Sequence, residues 1–200
     1  MKQERLSLLP DPQFAALKSQ LAHRIERAAK IITPANFASF CDAAMKKVFT
    51  NALMLCGASE GSIWLHDETG DNLINVFNNG PDAAKLVGFR QPLTAGIISM
   101  VFATHQPFME NEVFKNTMQG KEVDKLVGKR TNAMIVAPFY FANNCRGVVS
   151  AVQLVPAVEA AAGSPGFTAE DLVHIKFASE LLTRLIDFKL LSLTTGWGKD

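Results

Sequence analysis

Apolar positions along the chain change period, and each change marks an element. Between Asp11 and Pro34, Phe14, Leu17, Leu21, Ala28 and Ile32 recur at helical spacing, with Asp11 placed to cap a helix and Pro12 at its first position. Arg24 interrupts this stripe, and Lys18, Arg27 and Lys30 flank it. So narrow a seam suits a helix that packs against a partner more than one sunk in a core. After Pro34 the apolar face broadens. Asn36 is the predicted cap, and Phe37, Phe40, Cys41, Ala44, Val48, Ala52 and Leu55 predict one helix running to Gly57 and lying on a sheet.

The period then drops to two. SIWLHDETGDNLINVF reads as a hairpin whose turn holds Asp67, Thr69, Gly70 and Asp71. A loop through Gly80, Pro81 and Gly88 leads to Thr94, the predicted cap of a short helix on Ile97, Ile98, Val101 and Phe102 that Pro107 stops. An extended piece from Pro107 to Glu110 follows. Residues 111–130 are polar, with a helical pattern over Glu122 to Val127, an irregular crossover of the kind where ligand contacts gather. The strongest strand signal is NAMIVAPFYFANNCRGVVSAVQLV, a second hairpin turning at Asn143 and Asn144. Beyond a small-residue loop, Thr168 caps a long helix with acidic residues in its first turn and a near-heptad stripe of Leu172, Ile175, Ser179, Leu182, Ile186 and Leu193.

This order predicts an α/β chain of the α+β type: a central antiparallel sheet flanked by helices, with long N- and C-terminal helices. The predicted organisation is a terminal helix over residues 1–34, a domain over 35–193 and a tail over 194–200. A chain of 200 residues that is 48% hydrophobic is long enough for one such domain and one or two helices outside it.

Charge and motifs narrow the function by exclusion. Twenty basic residues face nineteen acidic ones, which gives no footprint for nucleic acid or an anionic membrane. Apolar runs stay short of the roughly 20 residues that cross a bilayer, and MKQERLSLLPDPQ has no signal-peptide core, so the expectation is a cytoplasmic protein. Cys41, Cys56 and Cys145 have no metal-ligand spacing and read as reduced, buried thiols, with redox chemistry at Cys145 as the alternative. The histidines, His23, His66, His105 and His174, are scattered without an HxxxH or HExxH pair. No GxSxG, GxxxxGK[ST] or GxGxxG occurs. No catalytic residue, metal ligand or cofactor is therefore predicted, and the chain reads as not an enzyme.

From about Leu55 to Phe188 several ordered segments resemble the GAF domain family. TAGIISMVFATHQPFMENE resembles the family's glycine-started helix with its following turn and short strand, VDKLVGKRTNAMIVAPFYF its lead into a central strand, and GFTAEDLVHIKFASELL its closing helix. The middle segment is closest in form to the GAF domains of cyclic-nucleotide phosphodiesterases and adenylyl cyclases. That resemblance implies a pocket with Phe77 stacked on a purine and Asn78 beside it. It puts Ile97 and Ile98 at a helix start whose N–H groups approach a phosphate, and makes Asp124 and Thr131 polar ligand contacts. The chain departs from the pattern at Val127, where a threonine is usual, and at Pro156 and Ala157, where an Asn and a Lys are usual; Asp171 then reads as a first-turn carboxylate. Lys129 and Arg130 read as solvated or as reaching an anion at the Gly96 helix start.

Some GAF domains hold haem through one histidine, for which His66 and His105 are the candidates by position. Another branch reduces free methionine sulfoxide with a cysteine cluster, which the separated cysteines here do not make. What the resemblance implies is a sensory or regulatory module that binds a cyclic nucleotide or another small ligand. It would act as a homodimer through its terminal helices and pass its output to a downstream signalling protein. The alternative is a ligand-free interaction scaffold whose pocket is filled by Phe77, Ile98, Val127 and Met134.

Overall fold

The computed structural model describes residues 12–67, 70–156 and 164–197, with side chains in the first helix described from Leu17 onward. The Asp11 cap, the Phe14 side chain, the turn residue Thr69, Ala157 and residues 198–200 of the predicted tail lie outside the described residues. In chain order the elements are α1 (Pro12–Ala29), α2 (Phe37–Phe40), α3 (Ala43–Leu55), β1 (Glu60–His66), β2 (Asn72–Asn78), α4 (Ala83–Leu86) and β3 (Arg90–Pro92). They continue with α5 (Ile97–Thr104), β4 (Phe108–Glu110), a 3-10 turn (Val113–Lys115), α6 (Glu122–Val127), β5 (Lys129–Phe141), β6 (Asn144–Pro156) and α7 (Ala169–Thr195). One six-stranded sheet has the order β3-β2-β1-β6-β5-β4, with every pairing antiparallel. The α+β architecture expected from the periodicity is the one observed.

Two layers cover the sheet. On one face α3 and α7 pack over Ile63, Leu65, Ala133, Ile135, Phe139 and Val149, and the fully buried Phe49 and Leu53 carry α3 into this core. Ile175, Leu182, Ile186 and Leu190 carry α7 into it, one turn after another as a helical stripe requires. On the other face α5 and the crossover pack against Trp64, Leu73, Val136 and Val148 through Ile97, Ile98, Val101 and Val113. Among the described residues no helix is long and apolar enough to cross a membrane.

Local physics corrects three expectations about the helices. The single helix expected from Asn36 to Gly57 is two, because Asn36 does not cap it. Its Oδ1 accepts from the Thr33 N–H at 2.8 Å and its Nδ2 donates to the Ile31 carbonyl at 2.6 Å, so its amide closes the preceding turn instead. Asp42 takes the cap of α3, accepting from the Met45 N–H at 3.0 Å, and the restart rotates the buried face onto Met45, Phe49, Ala52 and Leu53. Leu55, expected inside, is 73% exposed. The cap of α5 is Gly96, not Thr94: its φ of 91° is open to glycine alone at little cost, and a Cβ there would stand 3.0 Å from Gln91 Nε2. The predicted α7 cap does form, as a full capping box between Thr168 and Asp171.

Strand register carries the other correction. Between Ile63↔Phe77 and Trp64↔Asn75 the second strand advances two residues while the first advances one, which leaves Val76 as a bulge. Strict alternation would put Phe77 on the same face as Leu73 and Asn75. The extra residue turns Phe77 to the α3 face and brings Asn75 and Asn78 onto the other. A second irregularity, between Thr131 and Ala133, does the same on β5. Thr131 faces the crossover there, while Ala133 joins the helix-side core. The turn of the long hairpin falls on Ala142 and Asn143, both at positive φ, one residue before the expected Asn143 and Asn144.

Candidate functional site

Both bulges flank a cavity of about 70 Å³ enclosed between β1, β2, β5 and β6 on one side and α5 with the crossover on the other. Its wall is built of two kinds of side chain. Trp64, Leu86, Ile97, Ile98, Val127 and Met134 make it apolar. Glu60, Ser62, Asn75, Gln91, Thr131 and Ser150 make it polar, and each of these six is at least nine-tenths buried. Buried polar groups cost stability unless paired, so their partners define the site.

Most of the pairing is internal. Trp64 Nε1 donates to Ser150 Oγ at 3.1 Å, and Gln91 Nε2 donates to the Ala95 carbonyl at 2.8 Å, which sets the loop into α5. Thr131 binds Asp124 twice, Oγ1 donating to Oδ1 at 2.6 Å and the backbone N–H to Oδ2 at 3.1 Å. Gln119 Nε2 adds a third donor to Asp124 Oδ2 at 3.3 Å. Ser62 Oγ receives two amides, Asn75 Nδ2 and Asn78 Nδ2, each at 3.0 Å. The exception is Asn75: it is 1% exposed, and among the described residues its Oδ1 meets no hydrogen-bond partner. Turning its amide over would leave the other end unpaired, so either orientation leaves one polar end in the cavity wall without a partner.

Glu60 closes the far end. Its carboxyl is raised above the ordinary glutamate range, chiefly by burial, against the pull of Lys129 and a hydrogen bond from Asn78. Gly80 leaves the space this carboxylate fills, since a Cβ there would lie 1.9 Å from Glu60 Oε2. Lys129 Nζ itself donates to Asp82 at 2.9 Å, and the Arg130 guanidinium lies over the Phe114 ring at 4.4 Å.

Of the residues expected at the site, Ile97, Ile98, Asp124 and Thr131 line the cavity together. Asn78 stands beside it, bound to Ser62 and to the Gly80 N–H at 2.7 Å. Phe77 is elsewhere: the bulge turns it onto the helix face, where its ring meets Phe49 edge-on at 6.1 Å between centroids. Sequence reasoning missed Glu60, Ser62, Asn75 and Gln91, whose only signal was polarity at inward strand positions. His66 stacks against Phe102 at 5.2 Å and His105 meets Tyr140 edge-on at 5.9 Å, both away from this cavity. A larger groove of about 600 Å³ runs along the opposite face beneath residues 32–35; it is more open, and its walls include Leu65, Ile74 and Phe141 with the Asp67–Arg90 ion pair at its rim.

An antiparallel sheet with paired helices on one face and a capped cavity under an irregular crossover on the other is the fold of the GAF domains. The GAF domain of a phosphoenolpyruvate-protein phosphotransferase from Coxiella burnetii superposes with a TM-score of 0.58 at 14% identity, over 88% of this chain and 98% of that one. The second GAF domain of DevS from Mycobacterium smegmatis gives 0.53 at 18% identity, over 71% and 89%. A free methionine-R-sulfoxide reductase from Neisseria meningitidis gives 0.52 at 17% identity, over 92% and 98%. No protein-family model and no curated protein matches the sequence. These likenesses establish the fold, and they do not set the phosphodiesterase and cyclase branch apart from other GAF domains.

Proposed function

We propose that the chain is a sensory or regulatory module that binds a small polar molecule in the cavity between β1, β2, β5 and the crossover. The observation that carries this reading is the buried, unpartnered end of the Asn75 amide in a cavity wall that also holds Glu60 and Gln91. A ligand offering both donors and acceptors would complete that wall. Ile97, Ile98, Asp124 and Thr131 are the proposed contacts from the crossover side, with Asn78 positioning Ser62 behind them. Asp124 and Thr131 already satisfy each other, so they act in this reading as the hinge pin of α6 and contact the ligand from the rim. Ligand pockets ordinarily measure about 300–1,000 Å³. A cyclic nucleotide would need the crossover to move outward, and a smaller ligand would not.

The proposed output is a change in the packing of α1 and α7 in a homodimer. On α7, Val173, Phe177, Phe188 and Leu193 are exposed, as are Leu17 on α1 and Trp197 beyond α7. An apolar row on a long terminal helix supports pairing with a second copy. Catalysis by the cysteines, as the likeness to the methionine sulfoxide reductase would suggest, is opposed by their chemistry. Burial pushes the Cys41 and Cys56 thiols up to about 11 and raises Cys145 as well, which leaves little thiolate at neutral pH.

The second reading, a ligand-free scaffold, is favoured by the small volume of the cavity, which Ile98, Val127 and Met134 already narrow. Native mass spectrometry of the chain purified without added ligand separates the two. A dimer carrying a reproducible small mass that Asn75→Ala loses is expected. Wild-type protein without added mass, unmoved in melting temperature by a screen of nucleotides, amino acids and organic acids, would leave the scaffold.

A further inference from the structure

A second cluster lies on the opposite face of the sheet, where α3 and α7 meet, and differs from this cavity in kind. Cys56 is the C-cap of α3, and Asp171 and His174 stand three residues apart on the first turns of α7, so both side chains share one helix face. The thiol sulfur, a carboxylate oxygen and an imidazole nitrogen lie within 4.8 Å of one another. We propose that Cys56, Asp171 and His174 bind one divalent cation of the zinc type, which clips the end of α3 to the start of α7.

Three observations support the site independently of the cavity. His174 Nδ1 is buried and, among the described residues, meets no hydrogen-bond partner, although a ring nitrogen out of water needs one. Cys56 is 5% exposed, and its sulfur already points at the α7 turn, 3.6 Å from the Asp171 carbonyl oxygen. The capping box engages Asp171 Oδ2 through the Thr168 N–H and Oγ1, which leaves Oδ1 for a cation. Thiolate, imidazole and carboxylate together select zinc over magnesium or calcium, which prefer oxygen alone. Zinc holds such atoms about 2.0–2.3 Å away, so the three must close on one another by roughly an ångström.

Fields from the two helices offset each other. The N-terminal end of α7 repels a cation, and the carbonyl end of α3 at Cys56 attracts one. On binding, the cation replaces the thiol proton, which passes to solvent. Asp171 and His174 are half-buried, so the fourth coordination position opens outward. No local spacing could reveal this set, because Cys56 and Asp171 are 115 residues apart.

Cobalt(II) is the probe, added to the full chain after treatment with a chelator. One equivalent should bind with a thiolate-to-cobalt charge-transfer band in the near ultraviolet, and zinc should displace it. Cys56→Ser should abolish the band while Cys41→Ser and Cys145→Ser keep it. His174→Ala, a change at a half-exposed position that the fold should tolerate, should weaken cobalt binding at least tenfold and remove the rise in melting temperature that zinc gives the wild type. A folded wild-type chain with no charge-transfer band in excess cobalt would overturn the proposal, as would cobalt affinity unchanged in His174→Ala.

Discussion

The two faces of this sheet are buried to a similar degree and specified in different ways. Against α3 and α7 the contacts are apolar and the residues large: Phe49, Leu53, Ile63, Leu65, Phe139 and Ile175 are at most 2% exposed. Such a face is specified by volume and shape. Against the crossover, the wall around the cavity holds Glu60, Ser62, Asn75, Gln91, Thr131 and Ser150, and it is specified by which donor meets which acceptor. The first face tolerates any apolar set that fills it. The second tolerates few changes of atom type, and among the described residues of that wall the unmet group, on Asn75, is where the proposed ligand would be recognised.

That contrast can be broken from either side, and the largest effect belongs to the packed face. Phe49→Ala removes a fully buried ring from beneath α7 and should cost about 3–5 kcal/mol of unfolding free energy in urea denaturation. It should leave any ligand mass seen by native mass spectrometry in place, provided measurements are made where the variant is folded. On the polar face, Ser62→Ala strands two buried amide donors at once and should cost about 1–3 kcal/mol, more than the loss of one hydroxyl on the surface. A cost no larger than that of an exposed serine would show that this face, too, is held by packing alone.

The smallest effect is the one with a distinctive pH dependence. Because Glu60 titrates above its ordinary range when folded, the stability tied to its proton is fully present below that range and is lost as pH rises through the folded value. Glu60→Gln removes this loss. The variant should therefore exceed the wild type in denaturation midpoint at neutral pH, with the advantage fading as the pH falls toward about 4. An advantage that persisted unchanged in acid would point to packing and away from desolvation.

Much of the fold was legible because period and punctuation agree. Thr168 with Asp171, the Glu122 to Val127 helix and both hairpins follow from local pattern alone. Legibility failed where two local signals competed: Asn36 and Asp42 are both good caps, and only Asn36's bonds to residues 31 and 33 decide against it. At the site, Ile97, Ile98, Asp124 and Thr131 were implied by the resemblance to the GAF domains, whose segments fall here on short elements with clear boundaries. Glu60, Ser62 and Asn75 were missed because a polar residue inside a strand reads as solvent-facing until the covering layer is known. The metal-binding candidate was hidden for a different reason, since its cysteine lies 115 residues before the first of the Asp171 and His174 pair.

Val76 has a consequence for how this chain is read against others. A bulge is a change of parity: every side chain beyond it swaps layers, although no letter of the sequence has changed its chemistry. An aromatic residue two positions after Asn75 therefore supports α3 here, whereas in a strand without a bulge an aromatic two positions after the matching residue would project into the cavity. Aligning two such chains by letter would equate rings that never occupy the same space. Equivalent rings are matched only when Val76 is set against a gap, because removing that one residue would restore strict alternation and leave Phe77 opposite Ile63 on the α3 face.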